Sequence, residues 1–467
     1  MTLKPSAELG EMPTRGVYLH DVTRRWYLLR TSKPSDESYR LSKPVESLDE
    51  FLSHSWSGSP FWKHMTLVTV LYVKFGYIAM LLTVIPLSVG IYFLPAYKRE
   101  AVVATEVLGV FAMFLGMWFG YLIPSRTNKK MVFLDKCCIP QVDEKAKREG
   151  LKNMEAYLNR SDTLLILWTP EYFSRLWCVF EYANFLHIHN VSSIRCYSIL
   201  TSRLAHLIAM VEILGLLVIE VLYIPTPCEE LMKSWTPPIV FFLFEVFMSV
   251  GVCLIVLLYF VPAKLALKKQ VQRFSVDEAE CTFSEDTEML RLRINEWYGS
   301  DRSFNDCVRN SWSCMRSMMR KREDALPREV AGVVMFPYIL VFWPRLAASL
   351  SSFSLEVDLG YSWYIILRDT ITVSILLMCR TPLFTVASYR LVRAFGSETF
   401  LGRSIILLII LLLGISYGAL MFVSGQAAFF LFDSPTVLLF AVRPCAWIMV
   451  VLPFITLGLL KWTHFSA

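Results

Sequence analysis

Long apolar runs alternate along this chain with blocks that mix charge and short apolar stretches. Eight runs, near 66–95, 102–124, 204–224, 237–262, 329–347, 360–380, 402–424 and 436–460, are long enough to cross about 30 Å of hydrocarbon as helices. The block after the second run reads differently. MVFL (131–134) and TLLILW (163–168) are short apolar stretches bounded by polar or turn residues, as in buried strands, and 143–159 between them is charged and helix-forming. A strand, helix, strand, helix order predicts a parallel α/β sheet. A later block opens with strand-like RFSV (273–276). Ser284 then reads as an N-cap, Leu290, Ile294 and Trp297 as one apolar stripe, and Gly299 as a stop; Phe304, Val308, Ser311 and Met315 mark a second amphipathic helix. These two helices have apolar faces to bury, and the first block is the nearest place to bury them.

Composition supports the membrane reading. Hydrophobic residues make up 55% and charged residues 18% of the 467, well below the roughly 25% charged of an ordinary globular domain. The N-terminus lacks the pattern of a cleaved signal peptide. Lys and Arg flank the runs on one side, at Arg126, Lys129 and Lys130, at Lys264, Lys268, Lys269 and Arg273, and at Arg380, Arg390 and Arg393. The expectation is an integral, multi-pass membrane protein with both termini and the soluble blocks cytosolic. Lys98 and Arg99 fit that orientation poorly. Membrane lipid is the expected partner of the basic run Arg316, Arg320, Lys321 and Arg322, and no nucleic-acid site is expected. Gly116 and Gly120 in GMWFG have small-residue spacing suited to close helix contact. The 11 cysteines, without a CxxC pair, read as free thiols. No metal site, phosphate-binding glycine loop or nucleophile elbow is visible.

Three stretches carry a resemblance. DEFLSHSW (49–56), VFLDK (132–136) and RSDTLLILWTPEYFSRLWCVFE (160–181) resemble the first three strands and following helix of a TIR (Toll/interleukin-1 receptor) domain, and FLSHSW with FLDKxCIxQ resembles a membrane-embedded, protist-type variant of it. The likeness covers about a sixth of the chain. The apolar runs and the resemblance together give the expected fold class, a polytopic α-helical membrane protein of about eight spans with a cytosolic, parallel-sheet TIR-like domain interrupted by a transmembrane hairpin. The expected divisions are an N-terminal segment (1–47), the first strand (48–62), a hairpin (63–125), the rest of the TIR-like domain (126–200), a second hairpin (201–263), a strand plus two helices packed on that domain (264–328), and a four-span bundle (329–467). A TIR fold has about five strands, and the second block is expected to supply what the first lacks.

The candidate chemistry lies in FSRLWCVFEYANFL (173–186). With Ser174 as N-cap, Leu176, Val179, Phe180 and Ala183 form the core stripe, and Trp177, Glu181 and Asn184 a second stripe at the helix edge. In TIR domains that cleave NAD+, the glutamate of this motif engages the nicotinamide-bearing ribose. The resemblance therefore makes Glu181 the candidate catalytic carboxylate, with Trp177, His54 and Ser53 as a candidate pocket and NAD+ as substrate rather than resident cofactor. Glu181 as a structural residue in a scaffold remains the other reading. The function expected is a membrane-anchored signalling or interaction protein that associates with itself or with other TIR-like domains, with NAD+ glycohydrolase activity as an implied chemistry. The alternative is a transporter or channel with a TIR-like regulatory module, suggested by Glu106, Glu212, Glu220, Glu245, Arg368 and Asp369 inside apolar runs.

Overall fold

The computed structural model describes residues 13–30, 35–93, 98–223, 261–281, 284–320 and 404–415, with isolated helical positions elsewhere. The chain divides into two units. Met1–Leu71, Phe119–Arg203 and Ala263–Arg320 make up the sheet-bearing unit, and Tyr72–Trp118, Leu204–Pro262 and Lys321–Ala467 the other.

Six strands form the sheet: β1 (Arg15–Tyr18), β2 (Lys43–Pro44), β3 (Leu48–His54), β4 (Met131–Phe133), β5 (Ser161–Trp168) and β6 (Ile194–Ser198). Their spatial order is β2-β1-β4-β3-β5-β6. The pairs β3–β4, β3–β5 and β5–β6 are parallel, and β1 is antiparallel to both β4 and β2. The parallel part thus starts in the middle at β3, adds β4 on one side, then β5 and β6 on the other. Doubly wound sheets of this order have their switch point beside the first strand, here between the carboxyl ends of β3 and β5.

The sheet is mixed, not purely parallel. Its additional strands come from the N-terminal segment and not from the second block. RFSV does not join the sheet: α10 (Val261–Gln272) ends just before it, and a 3-10 turn covers Val276–Glu278. β1, at four residues, is too short to show a period. Gly16 permits its close approach, since a Cβ there would lie 2.8 Å from Leu48 Cδ2.

The core follows strand alternation. Phe51 stacks on Phe133 at 4.4 Å, and Phe133 packs on Tyr157 of α7 (Met154–Asn159) at 4.5 Å. The next residue on that face of β3 is Ser53, which points at α8 (Leu176–Ile188). On α8 the stripe Leu176, Val179, Phe180 and Ala183 is buried. Two helices of the second block, α11 (Ser284–Tyr298) and α12 (Asp301–Arg320), complete this core with Leu290, Ile294, Phe304 and Val308. Trp297 packs on Phe180 at 5.2 Å, the Tyr298 hydroxyl donates to Ala183 O at 2.8 Å, and Arg293 pairs with Glu155 at 3.3 Å.

The eight-span, multi-pass integral-membrane architecture requires correction. Among the described residues two helices are long and apolar enough to cross a membrane, by length and composition alone: Pro60–Tyr92 and Glu100–Trp118. The first is α3; the second lies within α4 (Lys98–Trp118). The sheet unit itself accounts for most of the remaining described chain. The physical reason is that an apolar run reports hydrophobicity, whereas a span also needs one continuous helix of sufficient length. Residues 60–71, at the start of α3, belong to the sheet unit. The run at 204–224 lies in α9 (Ile199–Tyr223), which carries a fully buried Glu212. Within 402–424 the described helix is Ser404–Ile415. The runs at 329–347, 360–380 and 436–460, and most of 237–262, fall outside the described residues, as do Glu245, Arg368, Asp369 and the side chain of Glu220. The localisation and membrane sidedness inferred from eight spans fall with that count.

Within the second unit, α3 and α4 come close at glycines. A Cβ on Gly116 would lie 2.6 Å from Ala79 Cβ, and one on Gly76 would lie 2.7 Å from Met113 O. Gly116 therefore has a partner in Gly76, whereas Gly120 sits in a 3-10 turn of the sheet unit, where its carbonyl accepts a hydrogen bond from the Asn128 amide at 3.1 Å.

Candidate functional site

Glu181 lies on α8 because this helix packs its apolar stripe into the core beside β3, which leaves the next stripe at the carboxyl end of that strand. The expected N-cap is different. Ser174 turns its hydroxyl back to Glu171 O at 2.9 Å, and the first N–H of α8, on Leu176, is taken by Glu280 O at 2.9 Å. A backbone carbonyl of the second block thus does the work of a capping side chain, and Glu280 N–H donates in return to Ser174 O at 2.8 Å.

The half-buried Glu181 carboxyl accepts a hydrogen bond from Ser53 Oγ at Oε2, 2.5 Å away, and the Tyr172 hydroxyl lies 2.6 Å from the same Ser53 oxygen. Ser53 and Tyr172 are both buried. Three side chains from β3, a 3-10 turn (Tyr172–Ser174) and α8 are so linked in a chain at the switch point. Burial pushes the Glu181 carboxyl up from 4.5 to about 8; the Ser53 hydrogen bond opposes this and the negative charge of Asp135 adds to it. Burial also raises the neighbouring thiol of Cys178, one turn earlier on α8, well above its usual range, and Glu181 contributes to that rise.

Around this chain lies a second polar group. Trp56 Nε1 donates to Asp135 Oδ2 at 2.9 Å, and His54 meets Trp56 edge-on at 4.7 Å. Lys63, fully buried near the start of α3, donates from Nζ to Ser55 O at 2.5 Å. Burial lowers its amine from 10.5 to about 8, against the influence of Cys178, Glu171 and Asp135. His54 is likewise lowered by burial and by Lys63, with Asp135 opposing.

The four sequence candidates therefore part company. Ser53 and Glu181 are brought together. His54, next along β3, points to the opposite face by strand alternation. Trp177 is taken up elsewhere, its Nε1 donating to Asp286 Oδ2 of α11 at 3.2 Å and its ring meeting Phe180 at 5.8 Å. Tyr172, Asp135 and Lys63 are site residues that the candidate pocket did not include. Tyr172 and Asp135 stood within the quoted motifs; for Lys63, a lone lysine at the head of an apolar run, nothing in the local pattern signalled burial.

No family model, curated protein or solved structure matches the chain. The likeness to TIR domains therefore stands on the motifs, and the chemistry on the geometry. Among the described residues no group of three or more His, Cys, Asp or Glu side chains is placed to hold a metal ion. His187 stacks on Trp297 at 5.9 Å and His189 on Phe185 at 4.3 Å. The six described cysteines, among them Cys137 and Cys138, are free thiols.

Proposed function

We propose that the chain is a TIR-like signalling protein whose switch-point cleft binds NAD+ and breaks the bond between nicotinamide and ribose. The observation that carries this reading is the Glu181 carboxyl, fixed through Ser53 and Tyr172 at the place where doubly wound sheets bind ligands.

The chemistry follows from a carboxyl at about 8. The positively charged nicotinamide ring of NAD+, brought close, favours the carboxylate and expels its proton. As the C–N bond breaks, the electron pair leaves with nicotinamide and positive charge moves to the ribosyl carbon. A fixed anion stabilises that charge, and Ser53 holds it in position without competing for both oxygens. Nicotinamide departs as a neutral molecule, and the positive charge stays on the ribosyl carbon until water attacks it. The carboxylate becomes basic again and takes the proton of the water that attacks the ribosyl carbon. The products are nicotinamide, ADP-ribose and one proton.

Nicotinamide release by the full chain, wild type against Glu181→Gln, tests this. Wild type should release nicotinamide, and the near-isosteric amide, which carries no negative charge, should not. The assay is to be run with the protein clustered as well as dilute, because self-association through TIR-like surfaces belongs to the same reading. A folded, clustered wild type that leaves NAD+ intact would reject catalysis and leave a scaffold.

A further inference from the structure

Trp177 and Glu181 stand one turn apart on the edge stripe of α8, yet their side chains leave it in different directions. The Glu181 carboxyl accepts from Ser53 of β3, whereas the Trp177 indole N–H donates to Asp286 Oδ2 of α11 at 3.2 Å. The Trp177 ring also meets Phe180 edge-on at 5.8 Å, and Phe180 packs on Trp297 of the same α11 at 5.2 Å. The indole is turned toward the second block and the carboxyl toward the crevice.

Side chains of a helix lean toward its N-terminus. Glu181 therefore leans toward the Cα of Trp177, and Trp177 stands nearer the start of α8, at the rim of the crevice. Positions four apart have Cβ atoms only about 5–6 Å from one another. Rotation of the half-buried Trp177 side chain away from α11 is enough to bring its ring over Glu181.

The holder is fixed. Asp286 lies in the first turn of α11, where the helix dipole favours a carboxylate, and the single donor of an indole finds a charged acceptor there. Just before it, Glu280 accepts the Leu176 N–H at 2.9 Å and donates to Ser174 O at 2.8 Å. Asp277 pairs with Arg291 of α11 at 3.3 Å, and Val276 N–H donates to Asn305 Oδ1 of α12 at 2.9 Å. The part of the contact that can turn is the indole. Its face also has a use in the crevice, since indole attracts cations more strongly than other side-chain rings.

We propose that the Trp177–Asp286 hydrogen bond is a latch on the Glu181 site. Latched, the indole is withheld from the crevice; a nucleotide carrying a pyridinium cation draws it off Asp286 and over Glu181. This rests on the NAD+ reading above, which places such a cation, and then a ribosyl cation, beside the carboxylate. NADH, whose dihydropyridine ring is neutral, lacks the charge that releases the latch. Ligand and Asp286 compete for one indole, so the observed affinity is the intrinsic one reduced by the fraction of molecules already unlatched. The second block thereby sets the response of the site that it flanks.

The test uses the full chain labelled with 5-fluorotryptophan, with the Trp177 resonance assigned by its loss in Trp177→Phe. In Glu181→Gln, which should hold NAD+ uncleaved, saturating NAD+ should move that resonance toward its position in Glu181→Gln with Asp286→Ala, and NADH should not. Calorimetry should show NAD+ bound about tenfold more tightly once Asp286→Ala is added, the order expected for a lost hydrogen bond to a charged group. Should Asp286→Ala fail to fold, the near-isosteric and neutral Asp286→Asn should give a smaller gain in the same direction. A Trp177 resonance that stays in place under saturating NAD+, an equal shift with NADH, unchanged or weaker NAD+ binding in a folded Asp286 variant, or no NAD+ binding at all overturns the latch. Nicotinamide release by the wild type is scored separately. Movement of Trp177 without release rejects NAD+ cleavage and keeps the latch, whereas release with an unmoved Trp177 keeps cleavage and rejects the latch.

Discussion

A carboxyl group raised by burial carries two opposite pH signatures, and Glu181 should show both. On the proposed NAD+ reading the anion is the active form in the free protein, so kcat/KM for NAD+ is expected to climb with pH and level off above about 8. Stability runs the other way. Between 4.5 and about 8 the folded chain keeps a proton that the unfolded chain releases, so this group's contribution is fully present below 4.5 and is lost as pH rises to about 8. Glu181→Gln, which resembles the protonated acid, should flatten that loss. Urea unfolding at several pH values checks it, and equal slopes for the two proteins would show that Glu181 is not held in the protonated form. The residue's place on the edge stripe of α8 was legible from spacing around Leu176 and Val179. Its partner was not. The Ser53 contact spans 128 residues of sequence, and no local pattern reports which hydroxyl a carboxyl will meet.

At the scale of elements, α11 is what closes the core over α8. Ile294 is fully buried in the cluster that also contains Phe180 and Leu290. Ile294→Ala should destabilise the sheet unit by about 2–5 kcal/mol, the cost of lost burial plus an unfilled cavity. Denaturant unfolding followed by tryptophan fluorescence would measure it, and a change under about 0.5 kcal/mol, typical of surface sites, would place Ile294 outside the core. The apolar stripes of α8, α11 and the start of α12 were readable because a period of 3.6 repeats over several turns. β3 and β5 were readable as bounded apolar runs. β1 and β2 were not, being four and two residues long. Their role is set by backbone pairing, which side-chain pattern does not encode. The count of membrane spans failed for a related reason: hydropathy reports how apolar a run is and does not say how long a continuous helix carries it.

For the whole molecule, the sheet unit is assembled from three separated stretches, Met1–Leu71, Phe119–Arg203 and Ala263–Arg320. A chain cut between residues 224 and 246 should therefore yield fragments that co-purify when expressed together, held by Phe180 against Trp297 and by the paired backbones of Ser174, Leu176 and Glu280. Recovery of the two fragments apart would refute that dependence. The same interleaving orders events on the ribosome. The strand bearing Ser53 leaves the exit tunnel early and Glu181 much later. The carbonyl that caps α8 and the aspartate that holds Trp177 come only with residues 280 and 286. At about 5–20 residues per second, the nascent chain carries an uncapped α8 for on the order of ten seconds after Glu181 has been made. During that interval Phe180 has no Trp297 to cover it. Chaperone engagement should accordingly be heaviest on nascent chains that end between residues 190 and 300.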